Sequence, residues 1–234
     1  MSFLDLIFPK KCVGCRRFGD FLCADCFSKI SYNQNFQCPV CLKGSVNGFT
    51  HSVCEGKYSI DGVISAVVYS SISGKIIRQF KYKPHISKLA EIISEIMNEG
   101  FTQNESFYYF IEQFKPVVIP IPLSSSRERA RGYNHAGLLA SYVAKYFNLT
   151  VRTDFLVRVK DTRPQYKLNK EERIKNLVGA FGIRESESLR TKIPETVVLV
   201  DDVATTLSTL KEAARALKRA GTKKVLGVTF AREL

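Results

Sequence analysis

The amino-acid sequence predicts an α/β protein with a mostly parallel sheet and helices on both faces, preceded by a small zinc-ribbon-like module. All seven cysteines lie before residue 55, and from about residue 58 segments with strand and helix periodicity alternate. Apolar residues make up 45% of the 234 residues, enough to bury a substantial core. We therefore expect a zinc-binding module over residues 1–57 and an α/β domain over residues 58–234.

Four segments have the composition of buried β-strands. The segment 196–202 has four consecutive apolar residues before two aspartates, as expected of a strand covered on both faces. The segments are residues 62–70, 115–122, 196–202 and 224–231.

Three segments between these strands carry apolar residues at helical spacing, over residues 86–97, 136–147 and 208–221. The last has two basic residues in its final turn and Gly221 as a stop signal. Ligands of parallel sheets bind beyond the carboxyl ends of the strands. We therefore expect the loops that follow residues 115–122 and 196–202 to form a site at that edge.

The cysteines are spaced as metal ligands. Six of them form three C-x-x-C pairs, and HSVC repeats the spacing with His51 and Cys54. The odd count, the regular spacing and the lack of a secretion signal argue against disulfides. Two pairs complete a tetrahedral structural zinc site. Pairing in sequence order gives two sites, with ligands Cys12, Cys15, Cys23 and Cys26, and then Cys38, Cys41, His51 and Cys54.

Two other arrangements of these ligands remain open. The first and third pairs could share an ion, or one ion could bind and leave spare thiols. In each arrangement protein ligands fill the coordination sphere, so the zinc is structural, and its binding would supply the folding free energy of so small a module.

The charge is strongly positive and unevenly distributed. The formal net charge is +13, and residues 115–176 contain 13 Lys or Arg against 5 Asp or Glu. This clustering favours a polyanionic partner, nucleic acid or an acidic membrane face, although a solvated basic surface would have the same composition. No apolar run is long enough for a membrane helix and no signal peptide is evident. We expect a cytoplasmic protein, with the inner face of the membrane as the alternative location.

The segment VVLVDDVATTLSTL (197–210) has the composition of a sugar-phosphate site. A loop between a strand and a helix N-terminus presents backbone N–H groups to a phosphate, and four hydroxyls add donors. The two carboxylates can accept hydrogen bonds from sugar hydroxyls or hold a magnesium ion with the phosphates. The expected site residues are Asp201, Asp202, Ala204, Thr205, Thr206, Leu207, Ser208 and Thr209.

This segment resembles the signature loop of type I phosphoribosyltransferases, which bind 5-phosphoribosyl 1-pyrophosphate with magnesium. The acids and threonines match the family pattern, but Leu207 replaces its glycine. Glycine is used where the backbone needs φ > 0 or where a ligand approaches closely. Leucine would open the loop, crowd the phosphate, or be tolerated in an ordinary backbone conformation.

Further segments resemble the ComF family, which joins an N-terminal zinc module to a phosphoribosyltransferase-like domain. They are IFPKKCVGC near the N-terminus, ISGKIIRQFKYK (72–83), RGYNHAGLLA (131–140) and RPQYKLNKEERIKNLVGAF (163–181). Two departures from the family are His135, where many relatives have glutamine, and the HSVC pair. The resemblance implies a role in natural transformation, handling single-stranded DNA that enters the cytoplasm, together with DNA-uptake or recombination proteins.

Basic residues near aromatic rings suit this role, because cations follow a phosphate backbone while rings stack on bases. A solvated surface is the alternative for each cluster, and Tyr82 and Tyr133 could equally belong to the core. The candidate nucleic-acid contacts are Lys81, Lys83, Arg127, Arg129, Arg131, Tyr133, Arg163, Lys167, Lys170 and Arg173.

An active phosphoribosyltransferase is the alternative function. PIPLSSSRERARGYN would be its pyrophosphate loop, with Ser124, Ser125 and Arg127 as contacts, and KDTRPQYKLNKEER its lid. No base-recognition element is evident, and an amidotransferase is rejected because every cysteine is assigned to the zinc module. A third possibility is a domain that binds phosphoribosyl pyrophosphate without turnover, or a DNA 5′ end in the same loop.

Overall fold

The computed structural model describes residues 10–82, 86–160, 172, 177–184 and 193–233. Its centre is a four-stranded parallel sheet with strand order β1-β6-β5-β2. The strands are β1 (Gly62–Val68), β2 (Val117–Pro120), β5 (Thr196–Ala204) and β6 (Lys224–Arg232). The predicted parallel sheet is confirmed, and each of its four strands was located from the sequence.

Helices cover both faces of this sheet. One face carries α2 (Ser71–Lys81), α3 (Ile86–Thr102) and α6 (His135–Tyr146), and their apolar residues share one core cluster with Val198 and Val228. The other face carries α7 (Ser208–Ala220), which packs in a second cluster with Val197 and Val225. Since β5 and β6 contribute to both clusters, the unbroken apolar run in β5 has the expected explanation.

Three further elements complete the domain. Helix α4 (Glu105–Phe114) follows α3, and the short helix α5 (Ser125–Arg131) follows β2. Strands β3 (Leu156–Arg158) and β4 (Phe181–Ile183) form a separate antiparallel pair. Neither α2 nor α4 was located as a helix from the sequence, although α2 carries a complete capping box between Ser70 and Ser73.

The N-terminal module has little regular structure. It contains the four-residue helix α1 (Ala24–Phe27) and two 3₁₀ turns, Val46–Gly48 and Ser52–Cys54. Knuckles of this kind depend on their metal ligands more than on an apolar core.

The module pairs with the outer edge of β1. The N–H of Asn33 donates to the carbonyl of Ala66 at 2.9 Å, and the N–H of Val68 donates to that of Ser31 at 2.9 Å. Nearer the start of the strand, the N–H of Thr50 donates to the carbonyl of Asp61 at 2.8 Å. The module therefore acts as an antiparallel border to an otherwise parallel sheet.

Gly48 shows how closely the two parts approach. Its φ is +85°, and a Cβ built there would lie 2.4 Å from the carbonyl oxygen of Val63. Any side chain at this position would push the module away from β1.

In the part of the chain that the structure describes, no helix is both long enough and apolar enough to cross a membrane.

Candidate functional site

The first knuckle pair gathers four thiols. The sulfurs of Cys12, Cys15, Cys23 and Cys26 all lie within 4.8 Å of one another. Burial raises the pKa of the Cys12 thiol, but hydrogen bonds from the backbone N–H groups of Cys23, Cys15 and Gly14 outweigh burial and bring it to about 6. Converging thiols whose anionic form is stabilised by backbone donors fit tetrahedral zinc.

The second knuckle pair gathers Cys38, Cys41, His51 and Cys54 within the same 4.8 Å. The Nδ1 atom of His51 faces the cluster, 3.4 Å from the sulfur of Cys41, and its Nε2 atom lies 3.0 Å from the carbonyl oxygen of Gly44. A ligating imidazole is held in this way when its other ring nitrogen donates to a carbonyl. The groups follow sequence order, and the interleaved arrangement is not the one observed.

A pocket of about 410 Å³ opens at the carboxyl edge of the sheet. Asp201, Asp202, Thr205 and Thr209 contribute to its lining from β5 and the loop after it. Four cationic side chains from other elements line it too, namely Lys81, Arg127, Arg131 and Arg158. The structure thus brings together the two loops that were expected to meet at this edge.

Asp202 is the most enclosed acid of the pocket, with 4% of the residue exposed. Its carboxylate oxygen lies 2.6 Å from the Nζ of Lys81, at the end of α2, and 3.5 Å from the Nε2 of His135. Burial alone would raise the pKa of Asp202, but Lys81 and His135 outweigh it and hold it well below its usual range. Asp202 is therefore an anion with a fixed partner.

His135 links this ion pair to α5. Its Nδ1 atom lies 3.0 Å from a guanidinium nitrogen of Arg131, which can only donate. Nδ1 is then the acceptor, and Nε2–H points to Asp202. Burial lowers the pKa of His135, so the neutral imidazole bridges a cation and an anion.

Asp201 differs from its neighbour. Its Oδ1 accepts the backbone N–H of Asp202 at 2.9 Å. Burial and the charge of Asp202 raise the pKa of Asp201 to about 7. The two acids were expected to act alike, whereas the structure gives them different partners and opposite pKa shifts.

The loop after β5 closes around a cavity of about 20 Å³, and the described residues that line it all belong to the segment 201–210. The hydroxyls of Thr206 and Ser208 are hydrogen-bonded to each other there. All four hydroxyl-bearing residues line this cavity, and Thr205 and Thr209 line the larger pocket as well.

Leu207 occupies the position at which the signature loop has glycine. Its φ is 61° and its ψ is 0°, which is the left-handed region. Of the three alternatives for Leu207, tolerance in an ordinary backbone conformation is therefore excluded. The residue is 3% exposed and packs in the core cluster with Leu210, and both leucines also contribute to the lining of the small cavity. Burial of the side chain offsets a backbone strain of roughly 1–2 kcal/mol.

The other predicted contacts are distributed unevenly. Arg127 and Arg131 line the pocket, whereas Arg129 and Ser125 are exposed on α5 and Ser124 is buried with its hydroxyl 3.1 Å from that of Ser126. Tyr133 donates its hydroxyl hydrogen to the carbonyl of Phe80 and packs on the core, as its alternative interpretation held. Lys83, Arg163, Lys167, Lys170 and Arg173 lie outside the described residues, as does nearly all of the predicted lid.

Sequence reasoning missed several of the pocket residues, among them Arg158, Tyr69 and His135. Arg158 comes from β3, where a three-residue strand gives almost no periodic signal. Tyr69 follows β1, and no charged residue beside it marks that strand end as a site. His135 stood out only as a departure from the family. Helix α2 could have been found from its capping box, and with it the position of Lys81.

Two family models match the chain. A double zinc ribbon domain covers residues 3–56, and a phosphoribosyl transferase domain covers residues 129–233. The first includes all eight knuckle ligands, and the second includes the loop of Asp201 and the helix of His135.

Curated relatives give the same picture. Competence protein ComFC of Bacillus subtilis is 27% identical over 210 residues, covering 86% of this chain and 79% of that protein. Competence protein F of Haemophilus influenzae is 36% identical over 109 residues, 46% of each chain. DNA utilization protein YhgH of Escherichia coli K12 is 31% identical over 107 residues, 44% of each chain. The last two alignments span less than half of the relatives' lengths. With a double zinc ribbon, a phosphoribosyltransferase domain and these relatives, the chain belongs to the ComF family.

Proposed function

We propose that this chain is a competence protein that handles incoming single-stranded DNA in the cytoplasm and binds phosphoribosyl pyrophosphate in its pocket. The names of the relatives, competence protein and DNA utilization protein, support the first part. The observation that carries the second part is the meeting of an acid pair, a hydroxyl-rich loop and four cations in one cavity of about 410 Å³.

Each part of this ligand has a counterpart in the pocket. The 5-phosphate fits the loop at the N-terminus of α7, where Thr205 and Thr209 provide hydroxyls. The ribose diol fits Asp201, which lies in β5 and lines the pocket. Arg127 and Arg131 on α5 suit the pyrophosphate, because one guanidinium group can donate two parallel hydrogen bonds to phosphate oxygens.

Magnesium would be held in this pocket by Asp201 together with the phosphates of the ligand. Magnesium prefers carboxylates and phosphates together, and Asp201 offers the carboxylate. Asp202 is engaged by Lys81, so in this chain it holds a cation of its own in the site. The metal would supply neutralisation of the pyrophosphate charge.

The zinc sites have a structural role in this proposal. Each has four protein ligands, which leaves no open coordination position for substrate. Their task is to hold residues 10–57 against the edge of β1.

Single-stranded DNA would follow the basic surface that leads into the pocket. The short helix α5 carries Arg127, Arg129 and Arg131, and two of these, Arg127 and Arg131, line the pocket together with Lys81. Cations arranged along a surface bind a phosphate backbone without regard to sequence.

Calorimetry with phosphoribosyl pyrophosphate and magnesium tests the pocket. We expect binding to the zinc-loaded protein, and loss of binding when both acids are changed by Asp201→Ala and Asp202→Ala. Asp201→Asn alone keeps the ion pair of Asp202 intact and separates lost binding from lost folding. Glu112→Gln, an exposed acid on α4, is the matched control. Equal binding by Asp201→Asn and the unaltered protein would refute the diol assignment.

The salt dependence of DNA binding tests the basic surface. Replacing Arg127, Arg129 and Arg131 by glutamine should weaken binding and reduce the slope of log K against log salt. The reduction should be about 0.7 for each phosphate of a single strand that is no longer neutralised. A control triple, Lys29, Lys43 and Lys145, changes the net charge equally at exposed positions elsewhere. An equal change of slope in both triples would show that only the net charge matters.

Phosphoribosyl transfer is the second candidate function. The observation that favours it is the antiparallel pair β3-β4, whose Arg158 lines the pocket and could border an acceptor. A nitrogen nucleophile would bond to the anomeric carbon as the bond to pyrophosphate breaks. Pyrophosphate release that requires an added amine or nucleobase would establish transfer, and binding without release would limit the site to recognition.

A further inference from the structure

Two tyrosines border the pocket without being part of the core. Tyr69 is 42% exposed and Tyr82 is 61% exposed, and both contribute to the pocket lining. An exposed aromatic ring beside phosphate-binding groups offers a stacking surface for a base. Neither ring is needed for the phosphate, diol or pyrophosphate contacts described above.

The position of Tyr69 is fixed by its surroundings. Its N–H donates to the carbonyl of Arg232 at 2.7 Å. Its ring lies against α2 at Gly74, where an added Cβ would come within 2.7 Å of the tyrosine hydroxyl. The missing side chain at Gly74 therefore makes room for this ring.

Tyr82 is supported by a cation. The guanidinium of Arg131 lies 5.6 Å from the centre of its ring, and Arg131 is itself held by His135. This contact covers part of the ring and leaves the rest exposed. Arginine stacked on an aromatic ring is a common arrangement beside a bound base.

Helix α2 separates the two rings. The ring of Tyr69 lies against Gly74 and Tyr82 follows the last helical residue, so about eight residues with a rise of about 12 Å separate the two positions. That is several times the rise of about 3.4 Å per nucleotide along one strand of a duplex. A row of this length suits consecutive nucleotides of a strand better than one free nucleotide.

The loop cavity sets where such a strand would end. Its volume of about 20 Å³ and its single lining segment, 201–210, leave space for one small group and none for a strand that passes through. A terminal phosphate suits this loop better than a phosphate within the chain, because it carries more charge and more unesterified oxygens.

We propose that the pocket binds the 5′-phosphorylated end of a DNA single strand, with the terminal phosphate in the 205–209 loop and the next bases stacked on Tyr82 and Tyr69. The inference rests on the proposed function and adds the part of the DNA that the site recognises. Phosphoribosyl pyrophosphate and the DNA end then compete for one loop.

Fluorescence anisotropy with three oligothymidylates of equal length tests this proposal. One carries a 5′-phosphate, one a 3′-phosphate and one no terminal phosphate, and each has an internal dye. We expect the 5′-phosphorylated strand to bind at least tenfold more tightly than the other two. Ribose 5-phosphate should remove this preference and leave the binding of the unphosphorylated strand unchanged. Equal affinity for all three strands overturns the proposal.

The tyrosines are tested with the same strands. Tyr82→Leu and Tyr69→Leu should each lower the affinity for the 5′-phosphorylated strand about tenfold, the range measured for lost base stacking, and Tyr82→Phe should restore it. Tyr109→Leu, at a 65% exposed tyrosine on α4, is the matched control and should have no effect. Unchanged affinity in both leucine variants overturns the stacking assignment.

The result also separates this inference from the proposed function. If every strand binds alike, DNA handling stands and end recognition fails. If no strand binds while ribose 5-phosphate does, the DNA part of the proposed function fails and end recognition fails with it. If Tyr82→Leu weakens ribose 5-phosphate equally, the residue supports the pocket and is not a base platform.

Discussion

The zinc knuckles and the pocket both concentrate polar groups, but they balance charge in opposite ways. In the knuckles seven cysteines and one histidine converge in two groups of four ligands, each suited to a metal ion. In the pocket Asp202 already has Lys81 at 2.6 Å, and His135 bridges Asp202 and Arg131. The first region therefore needs an added ion to be stable, whereas the second is balanced by its own residues and can fold before its ligand arrives.

Removal of zinc should have the largest effect. Structural zinc contributes roughly 10–16 kcal/mol of apparent binding free energy, which for so small a module is its folding free energy. After chelation, hydrogen exchange should show loss of protection over residues 10–57 while β5 and β6 remain protected. Full protection of residues 10–57 in zinc-free protein would remove the contrast between the two regions.

Breaking the ion pair should come next. Asp202→Ala leaves the Lys81 ammonium, with 25% of its side chain exposed, beside a neutral methyl group. We expect a loss of about 3–5 kcal/mol in the free energy of unfolding, the range for a broken buried pair. Lys81→Met combined with Asp202→Leu removes both charges and should recover most of that loss in urea denaturation. If the double variant does not recover the free energy of unfolding, the loss in Asp202→Ala does not come from the unpaired charge of Lys81.

Leu207 gives a smaller and more specific test. Leu207→Ala removes a buried side chain but keeps the left-handed backbone, and should cost about 2–5 kcal/mol. Leu207→Gly removes the same packing but relieves the strain, so it should be about 1 kcal/mol more stable than the alanine variant. Urea denaturation of the two variants measures the difference. An alanine variant that is the more stable of the two would show that the loop is not held at φ > 0.

The most conditional effect concerns Asp201, because it depends on pH. Its folded pKa is raised to about 7, above the unfolded value, so the protonated form favours the folded state. That stability is present below the unfolded pKa and is lost as pH rises through the folded pKa. Asp201→Asn mimics the protonated form. Without added magnesium, the variant should melt at a higher temperature than the unaltered protein at pH 8 and at the same temperature near pH 4. A constant difference across this range would contradict the raised pKa.

Local patterns in the sequence were enough for the sheet and for the spacing of the knuckle ligands, but they left the grouping of those ligands open. The apolar run Val197–Val200 predicts a buried strand and the C-x-x-C spacing predicts a metal knuckle, in each case from neighbouring residues alone. The sequence could also place Asp201 and Asp202 at the edge of the sheet. It could not show that Lys81 reaches Asp202, because that contact joins residues 121 positions apart through the packing of α2. The left-handed backbone of Leu207 was also hidden, because its stability comes from burial against a distant core.

The border that Ser31–Asn33 form along β1 has a consequence for how the chain matures. An uncovered outer strand of a sheet can pair with another chain and lead to aggregation. Here the cover is fastened by metal, and the opposite edge is covered at Val118 by the N–H and carbonyl groups of residues 150–152. We expect a newly made chain that lacks zinc to leave the outer edge of β1 uncovered, so that its solubility depends on metal supply before any ligand binds.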